Sequence, residues 1–372
     1  EIRRVLKFNP FYLSLIRTEL LDGVFQTGEH NLFLAGLAET ARGPGATAAE
    51  VILGANVLLV SGDAQGALAL AKGLLTDRQS QTALLQNAVV LARELAVMDP
   101  DPVLQGTVDY LLSVFGDLVQ SNVLEPHLVR RTAGYLASVC EQALDLDLLG
   151  SNPLESVTRF TEILQVVRLV APGSQRLYSS QIKLAAYTRD VLGQPALAAR
   201  KLEVLLTDLD LPTEGVALVR LTLGECYLAA GDTAAGRVVL TRLGRDPNFR
   251  QAAGHAHYHL ARLDLAEGHF STARDRFAAV ALDNPAAPYA NDALELGLAV
   301  AEEMENPSGG PSILQMYARS VYYDLVAHPD SQLTALEDFV AASLPRLNLD
   351  EPQHLLERAR FQLAGLYAAS GR

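Results

Sequence analysis

The sequence predicts an all-α chain, an α-solenoid of antiparallel helix pairs. Three observations carry that expectation. Gly193, Gly231 and Gly268 stand 38 and 37 residues apart, and two further sets keep the same register: Ala198, Gly236 and Ala273, then Leu202, Leu240 and Phe277. A period in this range marks stacked two-helix units, none of which can bury its apolar face without its neighbours. Apolar residues also recur at three- and four-residue spacing almost throughout, and the β-branched alternation of strands is missing. Finally, hydrophobic residues make up 49% of the chain, mostly Leu, Ala and Val, while aromatics reach only 6% and Trp is absent. Such a composition suits helices whose backbones approach closely. At 372 residues the chain exceeds what one core comfortably organises, which an array resolves by growing in one dimension.

In chain order, helices are expected over 11–24, 30–41, 46–61 and 64–76. Gly54-Ala55 with Ala67 and Ala71 are small enough for close helix contact there, and Gly62-Asp63 makes the turn. Helices over 79–98 and 103–120 are separated by Pro100-Asp101-Pro102, because a helix does not run through such a break. After 125–146, Gly150-Ser151-Asn152-Pro153 opens 153–170, followed by 175–192 and 195–208. The regular pairs are 213–230 with 233–244 and 248–267 with 270–283, turned at Gly231-Asp232 and Gly268 and closed by Pro247 and Pro285. Gly224 and Gly236 let two axes approach to roughly 8 Å, with Tyr227 and Leu240 filling the flanks.

Beyond 287 the phase is ambiguous. Leu296-Gly297 continues the first-helix register, and the next second helix carries either Ala318 and Tyr322 or Ala335 and Phe339. The latter is favoured, pairing 312–328 with 331–344, leaving 287–305 as an extra helix and 352–370 as the last. The expected organisation is therefore an irregular or degenerate region over 1–150, regular repeats over 151–286, and continued repeats over 287–372 with a loop insertion at 306–311. The chain starts Glu-Ile-Arg-Arg without Met and stops at Tyr367 to Gly371 inside a repeat, so a fragment of a longer scaffold is expected.

The Leu223-Gly224-x-x-Tyr227 first helix, the Gly236 and Leu240 second helix and the closing Pro247 resemble the tetratricopeptide repeat, as do Leu260-Ala261, Ala273, Phe277 and Pro285 in the following unit. The likeness is good over about 185–285 and returns at Leu363-Ala364-x-x-Tyr367. It departs where the usual Trp is Arg220 or His257 and where the Tyr is Asp264. The resemblance implies a right-handed solenoid of the divergent kind found in bacterial scaffold and envelope-assembly proteins. It implies a non-enzymatic function, binding a peptide or protein segment on the concave face. That face would be lined by first-helix residues Glu225 and Leu228, beside Leu218 and Leu221, and by His255, Tyr258, Arg262 and Leu265. Tyr258 and Arg262 read as an aromatic and cationic pair of the type enriched in binding hot spots; the alternative packs Tyr258 between repeats and leaves Arg262 in solvent. A second function class is the regulatory or sensor arm of a larger enzyme or transcription regulator.

Charge and motifs narrow the partners. The net charge is −13 and no basic stripe occurs, which argues against nucleic acid. Over 290–342, Asp292, Glu295, Glu302, Glu303, Glu305, Asp324, Asp330, Glu337 and Asp338 face only Arg319, a solvated acidic surface or a face for a basic partner segment. The longest apolar runs, such as Val51 to Val60, are too short to span a membrane. Phosphate-binding, dinucleotide, nucleophile-elbow and zinc-protease motifs are missing, and no cofactor is expected. Cys140 and Cys226 sit in apolar helical pattern and read as core residues. His255, His257, His259 and His269 cluster within fifteen residues. His255 and His259 share a helix face, but a zinc site needs three or four converging ligands, and no carboxylate or Cys completes the set in sequence. No metal site is expected.

Overall fold

The computed structural model describes residues 30–97, 102–208, 211–306, 310–346 and 354–371. The helix expected over 11–24, residues 100–101 of the first Pro-rich break and residues 307–309 of the 306–311 break lie outside them. Among the described residues the chain is all-α, with no strand, and each expected helix is found within about three residues of its predicted bounds.

The helices are α1 (His30–Arg42), α2 (Ala48–Val60), α3 (Ala64–Gly73), α4 (Arg78–Leu95), α5 (Pro102–Gln120), α6 (Pro126–Asp145), α7 (Pro153–Val170), α8 (Gln175–Asp190), α9 (Pro195–Leu205), α10 (Thr213–Ala229), α11 (Thr233–Gly244), α12 (Arg250–Ala266), α13 (Phe270–Asp283), α14 (Ala290–Glu305), α15 (Gly310–Leu325), α16 (Pro329–Ser343) and α17 (His354–Ser370). Two compact units, 1–184 and 185–372, divide inside α8, between Leu184 and Ala185. The Gly150–Pro153 break is the α6–α7 turn, inside the first unit.

Gly62, and Gly231 and Gly268 of the repeat register, sit in one kind of turn, whereas at Gly193 (φ 64°) the closing bond runs from Gln194 N–H to Thr188 O at 3.0 Å. Gly62, Gly231 and Gly268 have φ of 84, 80 and 81°, where a Cβ would be strained. In each case two hydrogen bonds close the helix. Gly231 N–H donates to Leu228 O at 2.9 Å and Asp232 N–H to Tyr227 O at 2.9 Å. This satisfies carbonyls that the helix end would leave unpaired. The next residue then starts the partner helix: Asp232 accepts from Ala235 N–H at 3.0 Å, and Asp63 accepts from Gly66 N–H at 2.8 Å.

The same turn occurs twice without glycine. Asp147 and Ala327 have φ of 54 and 52°, and the closing bonds Leu148 N–H to Ala143 O (2.8 Å) and His328 N–H to Tyr323 O (2.9 Å) match the others. A helix-pair turn is therefore present at the ends of α6 and α15, where the glycine signature is lost.

In the first unit, neighbouring helices pack in sequence order from α1 to α3, and α5 is shared, touching α3, α4 and α6. Phe115 stacks on Tyr135 with centroids 5.8 Å apart, and Asn56 and Asn87 exchange amide hydrogen bonds of 3.1 and 3.3 Å in the interior. A buried amide pair of this kind fixes register, since either side chain alone would be left unsatisfied.

In the second unit, each helix from α9 to α14 packs on the next. The small residues do what their spacing predicts. A Cβ on Gly224 would lie 2.6 Å from Leu240 Cδ2, and one on Gly236 would lie 2.8 Å from Leu228 Cδ2, so α10 and α11 touch where glycine leaves room. Phe277 and Leu240 are fully buried. The hydroxyl of Tyr227, expected beside the α10–α11 contact, donates to Glu203 on α9. The favoured pairing of 312–328 with 331–344 is found as α15 against α16. The helix begins earlier than expected, at Gly310, with Pro311 in its first turn, where a missing N–H costs nothing. Beyond α14 the simple order ends: α15 lies against α12 and reaches α10, and α17 packs on both α16 and α14.

Candidate functional site

The face of α12 that carries His255, Tyr258, His259 and Arg262 follows i, i+3, i+4, i+7 spacing, so these four side chains line one stripe. All four are half-buried. Three other elements meet them. Tyr289, which caps α14, stacks on His255 at 4.9 Å and on Tyr258 at 5.8 Å between ring centroids. The Tyr258 hydroxyl donates to Asp292, and Arg262 lies 5.9 Å above the Tyr258 ring while its guanidinium pairs with Asp324 on α15. Arg358 on α17 pairs with Asp292, reaches Glu295 at 3.5 Å and donates from Nε to the Tyr317 hydroxyl at 3.2 Å. Tyr317 in turn donates to Gln362 at 3.2 Å. A cavity of about 220 Å³ lies among Tyr258, Arg262, Tyr317, Asp324, Arg358 and Gln362.

At the other end of the stripe, Glu225 on α10 joins α8 to α12. Its Oε2 accepts from Arg189 Nη1 at 2.5 Å, and its Oε1 lies 3.1 Å from His259 Nε2. Burial alone would raise this carboxyl, but the His259 hydrogen bond and the Arg189 charge outweigh it and hold it down at about 2. His255 is shifted the other way: burial, with the neighbouring His259, pushes its imidazole below the ordinary value. Burial raises the Tyr258 hydroxyl, and Asp292 adds to that rise. His257 points about half a helical turn away from the stripe. Its Nε2 lies 3.0 Å from the Gly244 carbonyl, in the wall of an open cleft of about 1070 Å³ that Arg245, Arg250 and Arg276 share with Asp246 and Asp283.

The structure thus brings Glu225, His255, Tyr258 and Arg262 onto one connected surface. It corrects two residues of the expected lining. Leu228 and Leu265 are 1% and 0% exposed, because each turns into a helix–helix contact, Leu228 against Gly236. Tyr258 and Arg262 do form a pair, yet they are not open: α15 and α17 supply Asp324, Tyr317 and Arg358 across them. Sequence reasoning did not find Arg189, Asp292, Tyr317, Asp324 or Arg358 as parts of this surface. The acidic stretch was the only local signal, and two of its carboxylates, Asp292 and Asp324, turn out to answer arginines far away in sequence.

No family model matches the chain, and no curated protein matches it significantly. Among solved structures the TPR domain of P58(IPK) is similar over 96% of this chain and 99% of that chain, at 15% identity and a TM-score of 0.20. A superposition that loose carries no argument. The paired helices, glycine turns and small-residue contacts of the chain are like those of tetratricopeptide repeats. Among the described residues no helix is long and apolar enough to cross a membrane.

Proposed function

We propose that this chain is a non-enzymatic scaffold for protein assembly, binding a peptide or protein segment along the face built by α10 and α12. One observation carries the reading: α15 of the same chain lies on this face, held through Asp324 to Arg262 and seated beside Tyr258. A face that holds a helix by an acid-to-arginine pair over an aromatic platform has the chemistry for a helical or extended partner segment. The preformed helices supply it without ordering cost on the receptor side. Because α15 covers the Arg262 end, the partner takes the adjoining stretch over Leu218, Glu225 and His255, where Leu218 is 46% exposed. Within the acidic stretch, Asp292, Glu295 and Asp324 are engaged by Arg358 and Arg262, so a basic partner segment would meet exposed carboxylates such as Glu305 and Asp330 instead.

A photo-cross-linking residue placed at 218 tests the face without disturbing its polar network. Val238, 68% exposed on α11, is the control position. Partners cross-linked from 218 and not from 238 support the assignment, whereas equal capture from both positions overturns it.

A further inference from the structure

We propose that Glu225, His255 and His259 form a binding site for one divalent transition-metal ion of the Zn²⁺ class. His255 and His259 are one turn apart on α12, with ring centroids 5.1 Å apart. Glu225 arrives from α10, and the carboxylate oxygen and both imidazole ligand atoms lie within 4.8 Å of one another. Tetrahedral ligands at about 2.0 Å from zinc stand roughly 3.3 Å apart. The 3.1 Å between Glu225 Oε1 and His259 Nε2 already has that spacing, and the His255 ligand atom, within 4.8 Å of both, moves closer to take the third position.

Two further features point to a ligand here. His259 Nδ1 is buried with no hydrogen-bond partner. Nδ1 is orphaned in either tautomer, an unpaired acceptor while Nε2 carries the hydrogen and an unpaired donor once Nε2 holds a metal, so it calls for a water or other partner of its own beside the ion. Buried unsatisfied groups are rare in folded proteins and commonly mark an ion or water site. Arg189 meanwhile occupies Glu225 Oε2 and is itself bound to Asp190 through Nε at 2.5 Å and Nη2 at 2.8 Å. Its charge is thereby balanced, and it orients the carboxylate so that Oε1 faces the imidazoles, the outer-shell role carboxylate ligands need. The set of two imidazoles and one carboxylate fits zinc and its neighbours, and is poor for Mg²⁺ or Ca²⁺, which take oxygen ligands. Three protein ligands leave a fourth position for water or a partner side chain.

Isothermal titration of Zn²⁺ into chelator-stripped protein at neutral pH tests the site. One ion per chain is expected, with no comparable heat for Mg²⁺. His259→Ala and His255→Gln each weaken binding on the order of 100-fold, while His257→Ala leaves it unchanged. Co²⁺ substitution, read by its visible absorption, reports tetrahedral coordination independently of any variant's folding. A titration of wild type without stoichiometric heat overturns the proposal. So does binding that survives the His255 and His259 changes but is lost in His269→Ala, since that assigns the ion to Asp264, Glu267 and His269, a second group of close-set ligands.

Discussion

Asp264 occupies the position where the repeat pattern has tyrosine, and its carboxylate is the strongest test of how the second unit is held. The side chain is 4% exposed; Oδ1 accepts from Arg237 Nη1 of α11 at 2.8 Å, and Oδ2 pairs with Arg276 of α13. Arg237 reaches Glu267 Oε2 with its other nitrogen at 2.6 Å. One carboxylate on α12 therefore ties three consecutive helices. Asp264→Asn keeps the volume but turns one acceptor into a donor facing a guanidinium. One charge-assisted hydrogen bond, worth about 1.5–3 kcal/mol, is lost, and the weakening of the other together with the guanidinium left facing the new amide donor adds a comparable amount. The arginine side chains are 32% and 30% exposed, so water recovers part of that, and a net cost of about 3 kcal/mol follows. For a unit of this size the melting temperature should fall by roughly 6–12 °C.

The two cysteines make that measurement local. Cys226 is buried in the second unit and Cys140 in the first. Burial pushes the Cys226 thiol up to about 11 and raises Cys140 as well, so neither reacts without opening of its surroundings. Asp264→Asn should accelerate labelling of Cys226 on the order of 100-fold and leave Cys140 unchanged. A melting shift below about 2 °C at native helix content refutes the clamp. Equal acceleration at both thiols refutes its confinement to the second unit.

Two further substitutions test the turn and the close contact. Ala327→Gly relieves a left-handed backbone that costs an L-residue about 1–2 kcal/mol; after the extra unfolded-state entropy of glycine, a gain of about 0.5–1 kcal/mol is expected in the urea midpoint, and any loss contradicts the turn assignment. Gly224→Val drives its side chain into Leu240 and should cost about 1–3 kcal/mol, with Leu240→Ala in the same chain recovering part of it. Additive losses in the double variant would mean that the two residues are not in contact.

The sequence by itself determined the helices and the way they pair. A 37- to 38-residue period, small residues at the crossing points and glycine after each first helix are local requirements, and a local requirement leaves a mark at a fixed spacing. Where the requirement was met differently the mark vanished: Asp147 and Ala327 make the same turn as Gly231, so those repeats did not stand out. The half of the site on α12 was legible for the same reason, since His255, Tyr258, His259 and Arg262 share a helical stripe.

Only the tertiary structure decided what faces that stripe. Asp324 meets Arg262 across 62 positions, Glu225 meets His259 across 34 and Arg189 meets Glu225 across 36. Such pairs depend on how α15 folds back onto α12 and on which helix stands beside which, and no spacing rule along one helix encodes them. The same cause turned Leu228 and Leu265 from expected lining into core, and it supplied the carboxylate missing from the histidine pair. Electrostatic and ligand geometry act through space over a few ångströms, whereas periodicity records only what each helix demands of its own surface.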